Sequence, residues 1–412
     1  MTIERTVEAV WRIEAARLIA GLARTVRDVG LAEDLAQDAL VAALEQWPGS
    51  GVPDNPGAWL MAVAKRRYVD SVRRQVTYER KLDEIGRDLT EFENPMDDIE
   101  IESHVSDDML RLMFTACHPV LSAEARVALT LKMIGGLSTE EIAHAFLVPT
   151  PTMAQRIVRA KRTLTDASVP FEVPVGAELA ARLASVLEVV YLVFNEGYTA
   201  TSGSSWTRPT LCEEAMRLGR ILAALAPGEP EAHGLVALME IQASRLRARV
   251  AADGSPITLL NQDRSRWDRL LINHALAALA RAAGLGGRAG TYVLQASIAA
   301  CHARAVVAED TDWTQIASLY AALVDVTGSP IVELNRAVAV SMADGPQAGL
   351  AIVDSLADEP ALRGYHLLPA VRGDLLVKLG RRNEARVEFE QAAAKTGNET
   401  ERDLLLGRAA EC

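Results

Sequence analysis

The sequence predicts an all-α protein of more than one domain, and three observations carry that expectation. Apolar residues recur at helical spacing through most of the 412 residues, with no convincing alternating strand run. Ser138, followed three residues on by Glu141, has the spacing of a capping box and opens two short helices between Gly136 and Leu164. Near the C-terminus a helical pattern recurs, Val340 being matched 36 residues later by Leu376, as stacked helix pairs require.

Taken in order, the first informative element is a helix through Ala32–Trp47. Asp34, Gln37 and Asp38 fall at i, i+3 and i+4, so acceptors cluster on one face while Leu35, Ala39 and Leu40 line another. Such a polar face suits a basic partner helix, or else is an acidic face that touches only water. The next helix opens with Asn55 as its cap and Pro56 at its first position, then carries Trp59. Lys65, Arg66, Arg67, Arg73, Arg74 and Arg80 follow, against Asp70 and Glu79 alone, a local excess of four positive charges. A basic track beside Trp59, Tyr68 and Tyr78 fits an unstacked single strand. Trp59 also sits in an apolar run with Leu60 and Val63, which is the pattern of a core anchor.

Residues 83–108 hold eleven acids against Arg87, the composition of an extended, solvated linker. Beyond it, the helix opened by Ser138 runs to about Phe146. Thr150 then caps a second helix with Pro151 at its first position. Met153, Ile157, Ala160 and Leu164 form one inward stripe of that helix, leaving Gln155, Arg156, Arg159 and Arg162 outward, side chains that match phosphates and base edges. The plainer reading is an amphipathic hairpin with a solvated basic face. Val169–Gly176, with two prolines, reads as a hinge.

From residue 177 onward the chain is alanine- and leucine-rich and helical throughout. Leu376, Gly380, Ala385, Phe389 and Ala392, preceded by Gly373, lie at tetratricopeptide-like spacings, and Val340, Asp344, Gly349, Val353 and Leu356, preceded by Ala337, repeat them. Two polar clusters stand out in this module. Asn195-Glu196-Gly197-Tyr198 reads as a helix C-terminus, and Ser265 with Asp268 has the spacing to start a helix through Leu279. Neither nominates a catalytic centre.

Composition narrows the function. A formal charge of −12 argues against a protein coated in nucleic acid while allowing a locally basic reader. Cys117, Cys212, Cys301 and Cys412 have no paired spacing for zinc or a redox disulfide, which points to a reducing cytoplasm. No signal pattern and no apolar run of about 18 residues appears, so no membrane contact is expected. Nor is there a metal-binding, nucleophile-elbow or phosphate-loop motif, and the expectation is of no cofactor, no metal and no enzyme activity.

The ordered motifs resemble a known family. G-L-S-T-E-E-I-A, leading into a helix that ends R-I-V-R-A-K-R, is similar to region 4 of bacterial RNA polymerase sigma factors of the extracytoplasmic-function type. A-E-D-L-A-Q-D-A-L from Ala32 resembles the region 2 helix that docks on the polymerase clamp, and N-P-G-A-W-L-M-A-V-A-K-R-R-Y-V-D-S-V-R-R from Asn55 resembles the segments that melt and read the minus-10 element. The three motifs cover about the first 170 residues. One departure is Ala154, where relatives often carry Lys or Arg.

The resemblance implies two small helical sigma domains, the second with a helix-turn-helix, and a helical-repeat-like C-terminal domain. On this basis residues 1–80 form region 2, 81–108 an acidic linker, 109–168 region 4, and 177–412 an extension that is tetratricopeptide-like at least over 330–395. It implies polymerase binding through Asp34, Gln37 and Asp38. Minus-10 contacts fall to Trp59, Lys65, Arg66, Arg67, Arg73 and Arg74, and minus-35 contacts to Gln155, Arg156 and Arg159, flanked by Thr152 and Arg162. The partners implied are core RNA polymerase and promoter DNA, with an unidentified protein or ligand on the extension. Two other functions stay open: a one-component, ligand-sensing helix-turn-helix regulator that never joins polymerase, and a scaffold or enzyme seated in the C-terminal module.

Overall fold

A computed structural model describes residues 3–83, 105–146, 148–198, 209–251, 257–286, 289–396 and 399–412. Among these it contains eighteen α-helices and no β-strand, as the all-α expectation requires. The chain divides into two compact units, 1–225 and 226–412.

The first unit opens with α1 (Ile3–Val26), which packs on both α2 (Val29–Ser50) and α3 (Pro56–Asp83). Asp28 caps α2 through its side chain and the Leu31 N–H, and Asn55 caps α3 by accepting from the Ala58 N–H at 3.0 Å. The Asn55–Pro56 start read from the sequence therefore holds. The core between the three helices includes Leu18, Ile19, Leu22, Ala36, Ala39, Trp47 and Leu60.

The acidic segment read as a linker is helical at both ends, since α3 runs through Asp83 and α4 (Val105–Ala116) begins before Asp107. Residues 84–104, with most of the acids, lie outside the described residues. Asp108, read as a solvated acid, is instead buried against Arg111 at 2.7 Å and Arg24 at 3.4 Å. Two guanidiniums compensate its desolvation.

Next come α5 (Ala123–Met133), α6 (Thr139–Ala145) and α7 (Thr150–Asp166). The capping box is present in full: the Glu141 N–H donates to Ser138 Oγ and the Ser138 N–H to the Glu141 carboxylate. Gly136 takes a φ of +67° in the turn between α5 and α6, which only glycine adopts without strain. The start of α7 departs from expectation. Pro149 is its N-cap, no side chain caps it, and Thr150 is already helical, so the proline-fixed backbone replaces the hydroxyl cap. Met153, Ile157, Ala160 and Leu164 are all buried, as the stripe required.

Residues 169–175 are non-helical, and α8 (Ala177–Tyr198) and α9 (Pro209–Leu225) follow. Helix α8 continues through Gly197 and packs on α4, α5 and α9, and α9 packs on α4. Packing thus runs across the hinge, and the division between units falls after Leu225, not at residue 176.

In the second unit, α10 (Pro230–Ser244) is buried nearly all round, between α11 (Arg269–Gly284) and α12 (Thr291–Arg304). Helix α11 starts three residues later than the Ser265–Asp268 spacing suggests. Asp268 caps it, while Ser265 lies in a separate 3-10 turn capped by Asp263. Then α13 (Trp313–Thr327), α14 (Pro330–Ala343), α15 (Pro346–Ser355), α16 (Leu367–Lys378), α17 (Arg382–Lys395) and α18 (Glu399–Ala410) each pack on the helix before and after in sequence. This is the stacking of helix pairs that the repeat implied. A Cβ at Gly373 would come within 2.8 Å of the buried Phe389 ring, so the small residue lets α16 and α17 approach closely.

His302 lies buried in α12, its ring edge-on to Trp313 at 5.2 Å. Burial, helped by the Arg245 and Arg264 guanidiniums, pushes its pKa from 6.5 down to about 4. The unfolded chain therefore takes up this proton first as the pH falls. Stability present above the unfolded pKa is lost as the pH drops toward the folded one, by about 3 kcal/mol in all. Urea unfolding at pH 7 and near pH 4.5 should show a loss in wild type that is smaller by up to this amount in His302→Leu.

Candidate nucleic-acid interface

Helix α7 presents three faces. One is the buried stripe. The second carries Thr152, Gln155, Arg159 and Arg162, all exposed, with Arg156 half-buried at its edge. Thr152, Gln155, Arg156 and Arg159, with Leu121, Ser122 and Ala125 at the entry to α5, border an open groove of about 340 Å³; Arg162 lies outside it. Arg162 pairs with Asp166 at 3.4 Å, one turn on and equally open to water, a contact too weak to keep it from a phosphate. Arg156 also borders an apolar pocket of about 200 Å³ with Met153, Phe146, Leu192 and Glu196, where α8 meets the helix-turn-helix.

The third face turns to α2. Lys161 donates to Glu33 and, at 2.7 Å, to Asp34, and Thr165 Oγ1 donates to Asp28 at 3.1 Å. Glu33 is buried, and Lys132 from α5 approaches it at 3.7 Å. The two lysines respond in opposite ways. Burial works to lower the pKa of both, but Glu33 and Asp34 together outweigh it at Lys161, which is raised. At Lys132 burial prevails over Glu33, with Lys161 adding repulsion, and the pKa is lowered.

On α2, Asp34 and Asp38 are exposed and Gln37 half-buried, so the acceptor face exists as read. Two of its members already have cations: Lys161 for Asp34 and Arg67, at 3.3 Å, for Asp38. On α3, Lys65, Arg66 and Arg73 are exposed, forming the basic track with Arg67 half-buried. The side chains of Arg74, Tyr78 and Arg80 lie outside the described residues. Trp59 is half-buried, its ring 5.3 Å from that of the buried Trp47 in an edge contact, so it anchors α3 to α2 while keeping part of its surface open.

Sequence reasoning missed the side chains that join α8 and α9 to this region. Arg126 of α5 donates to Ser185 and pairs with Glu188 at 3.0 Å. Arg182 donates to the Phe114 carbonyl at 2.9 Å, Ser185 to the Cys117 carbonyl at 2.6 Å, and Arg217 to the Ile134 carbonyl at 2.9 Å. Side chains of the extension thus satisfy carbonyls at the C-terminal ends of α4 and α5. The charges were visible in the sequence, but nothing there said which carbonyls they would meet.

Among the described residues no helix is long and apolar enough to cross a membrane. Cys117, Cys212 and Cys301 are buried free thiols, and Cys412 is a free thiol as well.

Comparison with known proteins adds three family matches: Sigma-70 region 2 over residues 13–77, Sigma-70, region 4 over residues 111–164, and a family of unknown function (DUF6596) over residues 182–283. An uncharacterized protein of Rhizobium meliloti (strain 1021) is 45% identical over 382 residues, 92% of this chain and 89% of its own length. The probable ECF RNA polymerase sigma factor SigI of Mycobacterium tuberculosis (strain ATCC 25618 / H37Rv) is 28% identical over 168 residues, 40% of this chain and 56% of its own length. The ECF RNA polymerase sigma factor SigK of Mycobacterium ulcerans (strain Agy99) is 27% identical over 173 residues, 40% of this chain and 89% of its own length.

Proposed function

We propose, from the premise that this chain belongs to the extracytoplasmic-function family of sigma-70-related factors, that it directs core RNA polymerase to specific promoters and that its C-terminal extension regulates this step. The observation that carries the reading is the order of two matched regions, 13–77 and 111–164, with an exposed basic track on the first and a capped helix-turn-helix on the second. In this assignment residues 1–80 are region 2, 81–108 the connection, 109–168 region 4, and 177–412 the extension. Asp34, Gln37 and Asp38 meet polymerase. Trp59, Lys65, Arg66, Arg67, Arg73 and Arg74 handle the melted minus-10 strand, where an aromatic surface and a basic track bind bases and backbone together. Thr152, Gln155, Arg156, Arg159 and Arg162 read the minus-35 element from the major groove.

Regulation by the extension is supported by contact. Helix α8 borders the pocket that Arg156 shares, so a shift of α8 reaches a proposed DNA contact directly. The chain works without turnover of its own, in the compartment where polymerase works.

Transcription in vitro with purified core polymerase tests the assignment. The full chain should support initiation at a restricted set of promoters, while core enzyme alone gives none. Tight binding of the purified chain to duplex DNA, with no initiation at any genomic promoter, would favour a one-component regulator instead.

A further inference from the structure

Arg156 is the one described residue that borders both the open groove beside Gln155 and Arg159 and the apolar pocket where α5, α7 and α8 meet. A half-buried arginine shields apolar surface with its methylene stem while its head stays in water. At this junction the stem has two places to lie: over the pocket, or out toward the groove.

We propose that the pocket is a ligand site for a small aromatic amine, whose binding moves the Arg156 side chain from the pocket to the DNA-facing groove. This inference rests on the assignment of Arg156 to the minus-35 contacts. The pocket has the chemistry for a ring. Its walls include Val127 of α5, Phe146 at the end of α6, the buried Met153 of α7 and Leu192 of α8. Leu192 keeps 37% of its surface exposed, so the pocket opens to water over an apolar lip. Its volume is about 200 Å³, somewhat more than the ~150 Å³ of an apolar cavity that takes up benzene, and suits one or two fused rings. The thioether of Met153 is polarizable and adapts to an aromatic partner.

The rim selects the charge. Among the described residues at its border, Glu124 and Glu196 stand against Arg156, two carboxylates to one guanidinium. Glu124 is held below the ordinary carboxylate range, chiefly by its own backbone N–H and then by the Ser122 hydroxyl, so it is ionised at neutral pH. A net negative rim attracts a protonated amine and repels a carboxylate. Once a ring fills the pocket, the apolar surface beneath the Arg156 stem is already covered and the stem gains nothing by lying there. The population then shifts toward the groove. Ligand and DNA share this one side chain, so each strengthens the binding of the other by the same factor.

The test uses the full chain, with tryptamine as probe and indole and indole-3-acetate as controls bearing the same ring. Calorimetric titration should give the tightest binding for tryptamine, weaker binding for indole and the weakest for indole-3-acetate. With core polymerase on a promoter duplex, saturating tryptamine should raise the affinity for DNA about fivefold in wild type and leave Arg156→Ala unmoved. Leu192→Trp, made at an exposed position, fills the pocket from α8: it should abolish tryptamine binding and bring promoter affinity to the ligand-raised level. Should that variant fold poorly, Glu196→Gln should narrow the preference for tryptamine over indole severalfold. Absence of tryptamine binding, equal binding of indole-3-acetate, or a promoter affinity indifferent to tryptamine overturns the proposal. If the complex with core enzyme selects no promoter with or without tryptamine, the promoter-directing assignment falls instead. The calorimetric order and the Arg156 Nε–H resonance, identified by its loss in Arg156→Lys, then decide the site: a shift on adding tryptamine supports it and an unmoved resonance refutes it.

Discussion

Cutting the chain after residue 176 will unfold region 4, whereas cutting after Leu225 will leave it folded. The hinge at 169–176 marks the end of the matched region 4, yet the packing does not stop there. Helix α8 buries Leu183, Val186, Leu187, Val189, Val190, Val193 and Phe194, and packs on α4, α5 and α9. Burying one such side chain is worth about 1.5–3 kcal/mol, and a domain's whole stability is about 5–15 kcal/mol. If half of these residues face α4 and α5, their loss is about 5–10 kcal/mol, as large as the whole margin of many domains. The cut at 176 also removes the Arg182, Ser185 and Arg217 donors to the carbonyls of Phe114, Cys117 and Ile134. Circular dichroism melts and two-dimensional amide spectra of the two truncated proteins decide the matter. A cooperative melt and dispersed region 4 amides in the 1–176 protein would refute the expectation. An experiment on the regulatory role of the extension should therefore remove 226–412 and keep α8 and α9.

The second large effect concerns promoter choice. Gln155→Ala with Arg159→Ala should weaken binding at the preferred minus-35 element by about 2–6 kcal/mol, since each good base contact discriminates by about 1–3 kcal/mol. Both side chains are exposed on the free face of α7, and the buried stripe lies elsewhere, so the melting temperature should hardly move. Arg162→Ala should differ in kind. As a flanking phosphate contact it weakens all sequences alike and reduces the salt dependence by about one unit of slope. Competition binding across a randomised minus-35 library at two salt concentrations separates these outcomes. Undiminished selectivity in the double variant would remove Gln155 and Arg159 from the readout.

What could be read from the residues alone was local. The Ser138–Glu141 box, the Asn55–Pro56 start and the buried stripe of α7 each depend on neighbours within a turn or two, and each is present. Errors arose where a competing local option existed. Pro149 fixes the start of α7 without Thr150, and Asp268 caps α11 while Ser265 closes a different turn. Tertiary pairing was illegible. Asp108 sits in an acidic run, and the approach of Arg24 from α1, which joins the neighbouring Arg111 in pairing with it, could not be read from that run. Glu33 and Lys161 are 128 residues apart, and periodicity says which face of a helix is apolar but not which helix lies against it. The same reason hides the attachment of α8 to α4 and α5.

Helix α7 has little room to diverge. Four of its seventeen residues fill the core, Lys161 and Thr165 serve α2, and Arg156 shares a pocket wall with α8. On the proposed readout, paralogues that acquire new promoters without losing either neighbour are left with Gln155 and Arg159 as free letters. Regulons in this lineage should accordingly split by changes at those two positions, and a designer seeking an orthogonal promoter pair would randomise them first.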